Sequence, residues 1–146
     1  MKSYIIVLCT IVFILFFSCR NNQVELEILH DAESLLMRAP DSTIHLLSGI
    51  SDPQKLKVAE QARYCLLYTA ARFRNYEEQS DSMISVALKY YEKNGTKEQK
   101  TQAYYYMGCV MESLNDSPRS QWYYLKALNT GRKLKDYSLL GRIAAR

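Results

Sequence analysis

Residues forty positions apart along this chain keep the same chemical character. Tyr64 is matched by Tyr104, Leu67 by Met107, Ser80 by Ser120, Ile84 by Tyr124, Ala87 by Ala127 and Leu88 by Leu128. Within each unit the apolar residues recur at three- and four-residue steps, as in Ala59, Ala62, Leu66, Ala70 and Phe73, which is the stripe of an amphipathic helix. A fixed period of this size carried by helix pairs constrains the fold to hairpins stacked side by side, each burying its apolar face on the next. With only 5 Gly and 3 Pro in 146 residues, long loops have little to be built from. The sequence therefore predicts an all-α solenoid of antiparallel helix hairpins.

The punctuation between stripes supports this division. A first helix is expected over Val24–Arg38, broken by Pro40, with Asp41 as the cap of a second helix ending at Ile50. Asp52 and Pro53 have the form of an N-cap followed by proline at the first helical position, so a third helix is expected from there to Arg74. A fourth is expected over Glu78–Lys93, closed by Asn94-Gly95 in the left-handed conformation. Thr96 and Gln99 form a capping box for the fifth. The sixth follows Asn115-Asp116-Ser117-Pro118, with Trp122, Leu125 and Leu128 among its packed residues, and Asp136 caps a last helix holding Leu139, Leu140 and Ile143.

The N-terminus is of another kind. Lys2 supplies a cation, Tyr4–Phe17 is almost wholly apolar, and Ser18-Cys19 follows. This is the plan of a secretory signal peptide, and it is short for a spanning helix, which needs about 20 apolar residues. An uncleaved anchor and an ordinary secreted form stay open beside it.

The net charge of +4 is spread among interleaved acids and bases, which gives no basic stripe for nucleic acid. His30 and His45 have no metal-ligand spacing, no zinc or other cofactor is expected, and no nucleophile or phosphate-loop motif occurs. No catalytic residue is assigned, and a non-enzymatic role is expected. Cys9 falls in the leader, which leaves Cys65 and Cys109 as two buried thiols or, in an oxidising compartment, a pair.

Tyr104-x-x-Met107-Gly108-x-x-Met111, followed by Ser120-x-x-x-Tyr124-x-x-Ala127, resembles the tetratricopeptide repeat. The earlier unit, Tyr64 to Ala87, is a weaker copy with Tyr68 where a small residue is usual, and the period exceeds the usual one of about 34 residues. Tyr137-x-x-Leu140-Gly141 is similar to the opening of a further, incomplete unit. Phe16-Phe17-Ser18-Cys19 resembles a bacterial lipobox. The stretch from Ser80 to Gly95, "SDSMISVALKYYEKNG", is similar to the tetratricopeptide lipoproteins of the Bacteroidetes cell envelope.

The resemblance implies four parts: a lipoprotein signal peptide over 1–18, an anchor linker over 19–23, an N-terminal helical hairpin over 24–52 and repeats over 53–146. It implies lipidation of Cys19, with the protein on the outer membrane facing the periplasm or, alternatively, held at the inner membrane. It implies a scaffold or adaptor that binds a protein or peptide partner in a groove lined by Ala62, Cys65, Thr69 and Arg72, by Gln102, Tyr105, Cys109 and Glu112, and by Ser138 and Arg142. Of these, Arg72, Gln102, Tyr105, Glu112 and Arg142 are the expected partner-binding residues. The incomplete last repeat implies a surface for homodimerisation. The alternative reading is the truncated periplasmic sensory part of a membrane-bound transcriptional regulator.

Overall fold

The computed structural model describes residues 23–146; Cys19, the apolar leader and most of the linker lie outside them. Among the described residues seven helices follow one another: α1 over 23–35, α2 Pro40–Ser48, α3 Val58–Arg74, α4 Ser82–Asn94, α5 Lys97–Ser113, α6 Ser117–Gly131 and α7 Tyr137–Ala144, with a 3₁₀ turn at Pro53–Lys55. No strand occurs among the described residues. Helices α2 to α7 pack on their sequence neighbours, most extensively α5 on α6, and α3 also touches α5.

The core is one continuous cluster. Leu29 and Ala32 of α1 meet Leu47 of α2, then Ala62, Leu66 and Ala70 of α3, Ile84, Ala87 and Tyr91 of α4, and Ala103, Met107, Val110 and Met111 of α5. Leu139 and Ile143 of α7 complete it. A leucine or isoleucine fully buried in this way contributes about 1.5–3 kcal/mol. Small residues set how closely helices approach. A Cβ on Gly108 would lie 2.6 Å from Cδ1 and Cε1 of Tyr124, and Ala127 is fully buried. Gly131 plays the same part where α6 meets α5 and α7: a Cβ there would lie 2.9 Å from Cγ2 of Thr101 and 3.2 Å from Cδ2 of Leu140.

Helix starts at α5 and α7 form as the sequence predicts. The Thr96 hydroxyl accepts from the Gln99 amide at 3.3 Å while the Gln99 side chain accepts from the Thr96 amide at 2.9 Å. Asp136 accepts from the Leu139 amide at 2.9 Å. Other boundaries differ. The chain enters α2 at Pro40, so Asp41 lies inside the first turn and caps nothing. Pro53 opens only the 3₁₀ turn; Asp52 pairs with Lys55 at 2.9 Å, and α3 begins later, at Val58, where the Glu60 carboxylate accepts from the Lys57 amide. Helix α4 begins at Ser82 rather than Glu78.

Gly95 is extended, at φ −80° and ψ 155°, so it is not a left-handed cap. The left-handed residues are Tyr76 and Asn115, at φ 56° and 60°. They end α3 and α5 in the same way. The amide of Glu77 donates to the carbonyl of Arg72 and that of Tyr76 to Phe73; the amide of Asp116 donates to Met111 and that of Asn115 to Glu112. Both are Schellman caps, in which glycine or asparagine is the unstrained choice. Tyrosine there is strained, and it is 97% exposed. Tyr76→Gly is therefore expected to stabilise the fold by about 1 kcal/mol, read as a higher urea midpoint with unchanged slope. An unchanged or lower midpoint would mean the ring makes compensating contacts.

The face of α6 turned to the core is Ser120, Tyr124, Ala127 and Gly131. Trp122, Leu125 and Leu128, expected to be packed, are 49%, 60% and 38% exposed. The apolar face of α7, by contrast, is covered, with Leu139 and Ile143 both buried.

Candidate functional site

A groove of about 400 Å³ is lined by residues of α3, α4, α5 and α7 together with the C-terminal end of α1 and the turn after it. Glu33, Leu36 and Met37 form one wall, Arg63, Leu66 and Leu67 the next, Gln99, Gln102 and Tyr106 the floor, and Ser138 and Arg142 the far side. At the C-terminal ends of α3, α5 and α7 lies an open recess of about 620 Å³ bounded by Phe73, Arg74, Tyr76, Tyr105, Glu112, Arg142 and Arg146. Arg142 belongs to both. No residue of α6 lines either one.

Most charges here are paired. Arg63 bonds Glu33 and so ties α3 to α1. Arg146 reaches Glu112 at 3.1 Å, and the Tyr124 hydroxyl donates to the same carboxylate at 2.7 Å. Arg74 and Arg142 differ. Neither has a carboxylate partner among the described residues, and the Nε of each is buried without a hydrogen bond. Arg142 donates from Nη1 to Ser138 Oγ at 2.8 Å and stands 5.9 Å from the Tyr105 ring centre. Arg74 donates from Nη2 to the Met37 carbonyl at 3.2 Å. Both lie near Tyr106: burial pushes its hydroxyl up to about 12, while the charges of Arg142 and Arg74 pull the other way. A buried guanidinium N–H without an acceptor costs about 1–3 kcal/mol.

The structure brings Gln102, Ser138 and Arg142 together in the groove, and Tyr105, Glu112 and Arg142 in the recess. Arg72 is not with them. It pairs with Glu77 at 2.9 Å and sits 5.8 Å from the Tyr68 ring centre, outside both. Ala62, Cys65, Thr69 and Cys109 are buried between helices rather than lining a surface. Arg63, Arg74 and Tyr106 replace them. Arg63 and Arg74 are about three helical turns apart on α3 and so share a face, a signal the sequence carried.

Cys65 and Cys109 are free, buried thiols. Burial pushes each up to about 11, so both are protonated near neutral pH and neither is an activated nucleophile. Among the described residues no group of three or more His, Cys, Asp or Glu is placed to hold a metal ion, and no helix is long and apolar enough to cross a membrane. The groove and recess thus present donors, aromatic faces and apolar walls. Compared with protein-family models, with curated proteins and with solved structures, the chain matches none.

Proposed function

We propose that this chain is a tetratricopeptide-like scaffold of the bacterial cell envelope, lipid-anchored through Cys19, whose groove binds an extended segment of a protein partner. The observation that carries the binding role is the pair of guanidinium groups Arg142, which lines both groove and recess, and Arg74, which lines the recess, neither with a carboxylate partner among the described residues. An acidic side chain or a backbone carbonyl of a peptide accepts from their outer guanidinium nitrogens, and Leu36, Leu66 and Leu67 supply an apolar wall in the groove. The repeat reading draws on the likeness of the α3–α4 and α5–α6 hairpins: matching caps at Tyr76 and Asn115, and matching buried alanines at Ala87 and Ala127.

Two experiments test it. Crosslinking pull-down of the full chain from envelope membranes is expected to recover a partner, with Arg142→Met and Arg74→Met each weakening its binding by about ten-fold or more. Their melting curves should hold or rise, since each substitution removes an unsatisfied buried donor. Equal recovery by both variants would remove the groove from the role. Metabolic palmitate labelling should fall to background in Cys19→Ala; equal labelling would end the anchor.

A further inference from the structure

The outward face of α6 carries a feature that the groove does not use. Trp122, Leu125 and Leu128 stand 49%, 60% and 38% exposed along it. The repeat does not require them. Forty residues earlier the corresponding positions are Ser82 and Ser85, both exposed, and Leu88, which is buried. Two serines have thus been replaced by a tryptophan and a leucine on a surface that faces solvent.

Cations lie beside Trp122 and at the C-terminal end of α6. Lys97, Lys100, Arg132 and Lys133 line a shallow recess of about 530 Å³ that contains no carboxylate. None of the four forms an ion pair among the described residues. Lys126 places its Nζ 3.9 Å from the Trp122 ring centre and 5.2 Å from that of Tyr104. Lys97 and Lys100 occupy the first turn of α5, where the helix dipole disfavours positive charge. Local helix physics therefore does not account for their position.

We propose that this face docks on a bilayer surface of anionic phospholipid. Tryptophan and leucine enter the boundary between headgroups and acyl chains, and the lysines and arginine meet the phosphates. Charge decides against a second copy of the chain, because a two-fold dimer through this face would set cation against cation. Docking here leaves the groove free, since α6 contributes none of its walls. The proposal rests on the membrane-attachment reading above in one respect: it supposes that the chain works beside a bilayer.

Trp122 is the only tryptophan in the chain, so its fluorescence reports this face alone. The full chain is reconstituted with vesicles of phosphatidylglycerol and phosphatidylethanolamine, and separately with phosphatidylcholine, each with and without brominated acyl chains. Expected in anionic vesicles are blue-shifted emission and quenching by bromine, both reversed by high salt. Leu125→Ser with Leu128→Ser, and Lys100→Glu with Lys133→Glu, should each weaken quenching by about ten-fold while circular dichroism stays unchanged.

Flotation with the vesicles separates the two readings. Flotation with both lipids, but no bromine quenching in the anionic ones, leaves the attachment standing and overturns the docking face. Flotation with anionic vesicles alone, accompanied by quenching, supports the face and counts against the lipid on Cys19 as the anchor. A blue shift that grows with protein concentration and ignores bromine identifies a protein contact instead and overturns the proposal.

Discussion

Replacing Gly108 with leucine is expected to destabilise the fold by at least about 3 kcal/mol, a large part of the ~5–15 kcal/mol available to a domain of this kind. The ring of Tyr124 occupies the space that a side chain at 108 needs, 2.6 Å from the position of even a single Cβ. That ring has little room to yield. Its hydroxyl is bonded to Glu112 at 2.7 Å, its face is tilted against Tyr105 at 6.0 Å, and the residue is buried. Helix α5 must therefore move off α6, opening the most extensive helix pair in the molecule. Propensity works in the opposite direction, since glycine inside a helix is about 1 kcal/mol worse than alanine. The sign of the effect thus discriminates. Gly108→Ala should lower the urea midpoint despite its better helix propensity, and Gly108→Leu should lower it further, both followed by circular dichroism. A Gly108→Ala variant that melts later than the wild type would mean that α5 and α6 are not in the contact described.

The same hairpin shows what the sequence made legible and where it misled. Helix order and the capping of α5 by Thr96 and Gln99 follow from local chemistry; that the ring meeting Gly108 is Tyr124 of the same hairpin is seen only in the structure. A cap needs a hydroxyl or carboxylate at one spacing, and close approach needs a small residue opposite a large one. The outward face of α6 did not follow. Apolar spacing alone places Trp122, Leu125 and Leu128 on a helix stripe, but the stripe of small residues Ser120, Ala127 and Gly131 is the one that packs. Hydrophobicity points inward only where there is room, and on the core side of α6 the room is taken by the Tyr124 ring, seated over Gly108, with small residues on either side of it. The groove shows a related shift. Arg72 falls on the expected register, yet Glu77, next to the strained turn at Tyr76, draws it away, and Arg63 and Arg74 take the face instead. That turn could not be read from composition, because a tyrosine stands where the cap calls for glycine. The pairing of Cys65 and Cys109 was open in the sequence; in the structure each thiol is buried and free.

Alkaline conditions are expected to unfold this protein between about pH 9 and 12, and buried thiols and phenols are the reason. Burial pushes Cys65 and Cys109 up to about 11. It pushes Tyr91 and Tyr106 up to about 12, and raises Tyr124 as well. In an unfolded chain cysteine titrates near about 8.5 and tyrosine near about 10. The folded state therefore holds protons that the unfolded state has released. Below about pH 8.5 both states are protonated and the contribution is fully present; as pH climbs toward the folded values it is lost. Each pKa unit corresponds to about 1.4 kcal/mol. Even discounted for partial solvent screening, several such groups together reach a few kcal/mol, comparable with the stability of a small domain. Helicity followed against pH should stay flat to about pH 8.5 and then collapse in one step, with the tyrosinate absorbance of the buried rings appearing in that same step. Replacing both thiols with alanine removes the earliest part of the linkage and should move the onset toward the tyrosine range, near about pH 10. Tyrosinate absorbance that reaches the full complement of rings with helicity intact would show that the buried ones titrate in the folded state, and that the helices are not packed around them as described.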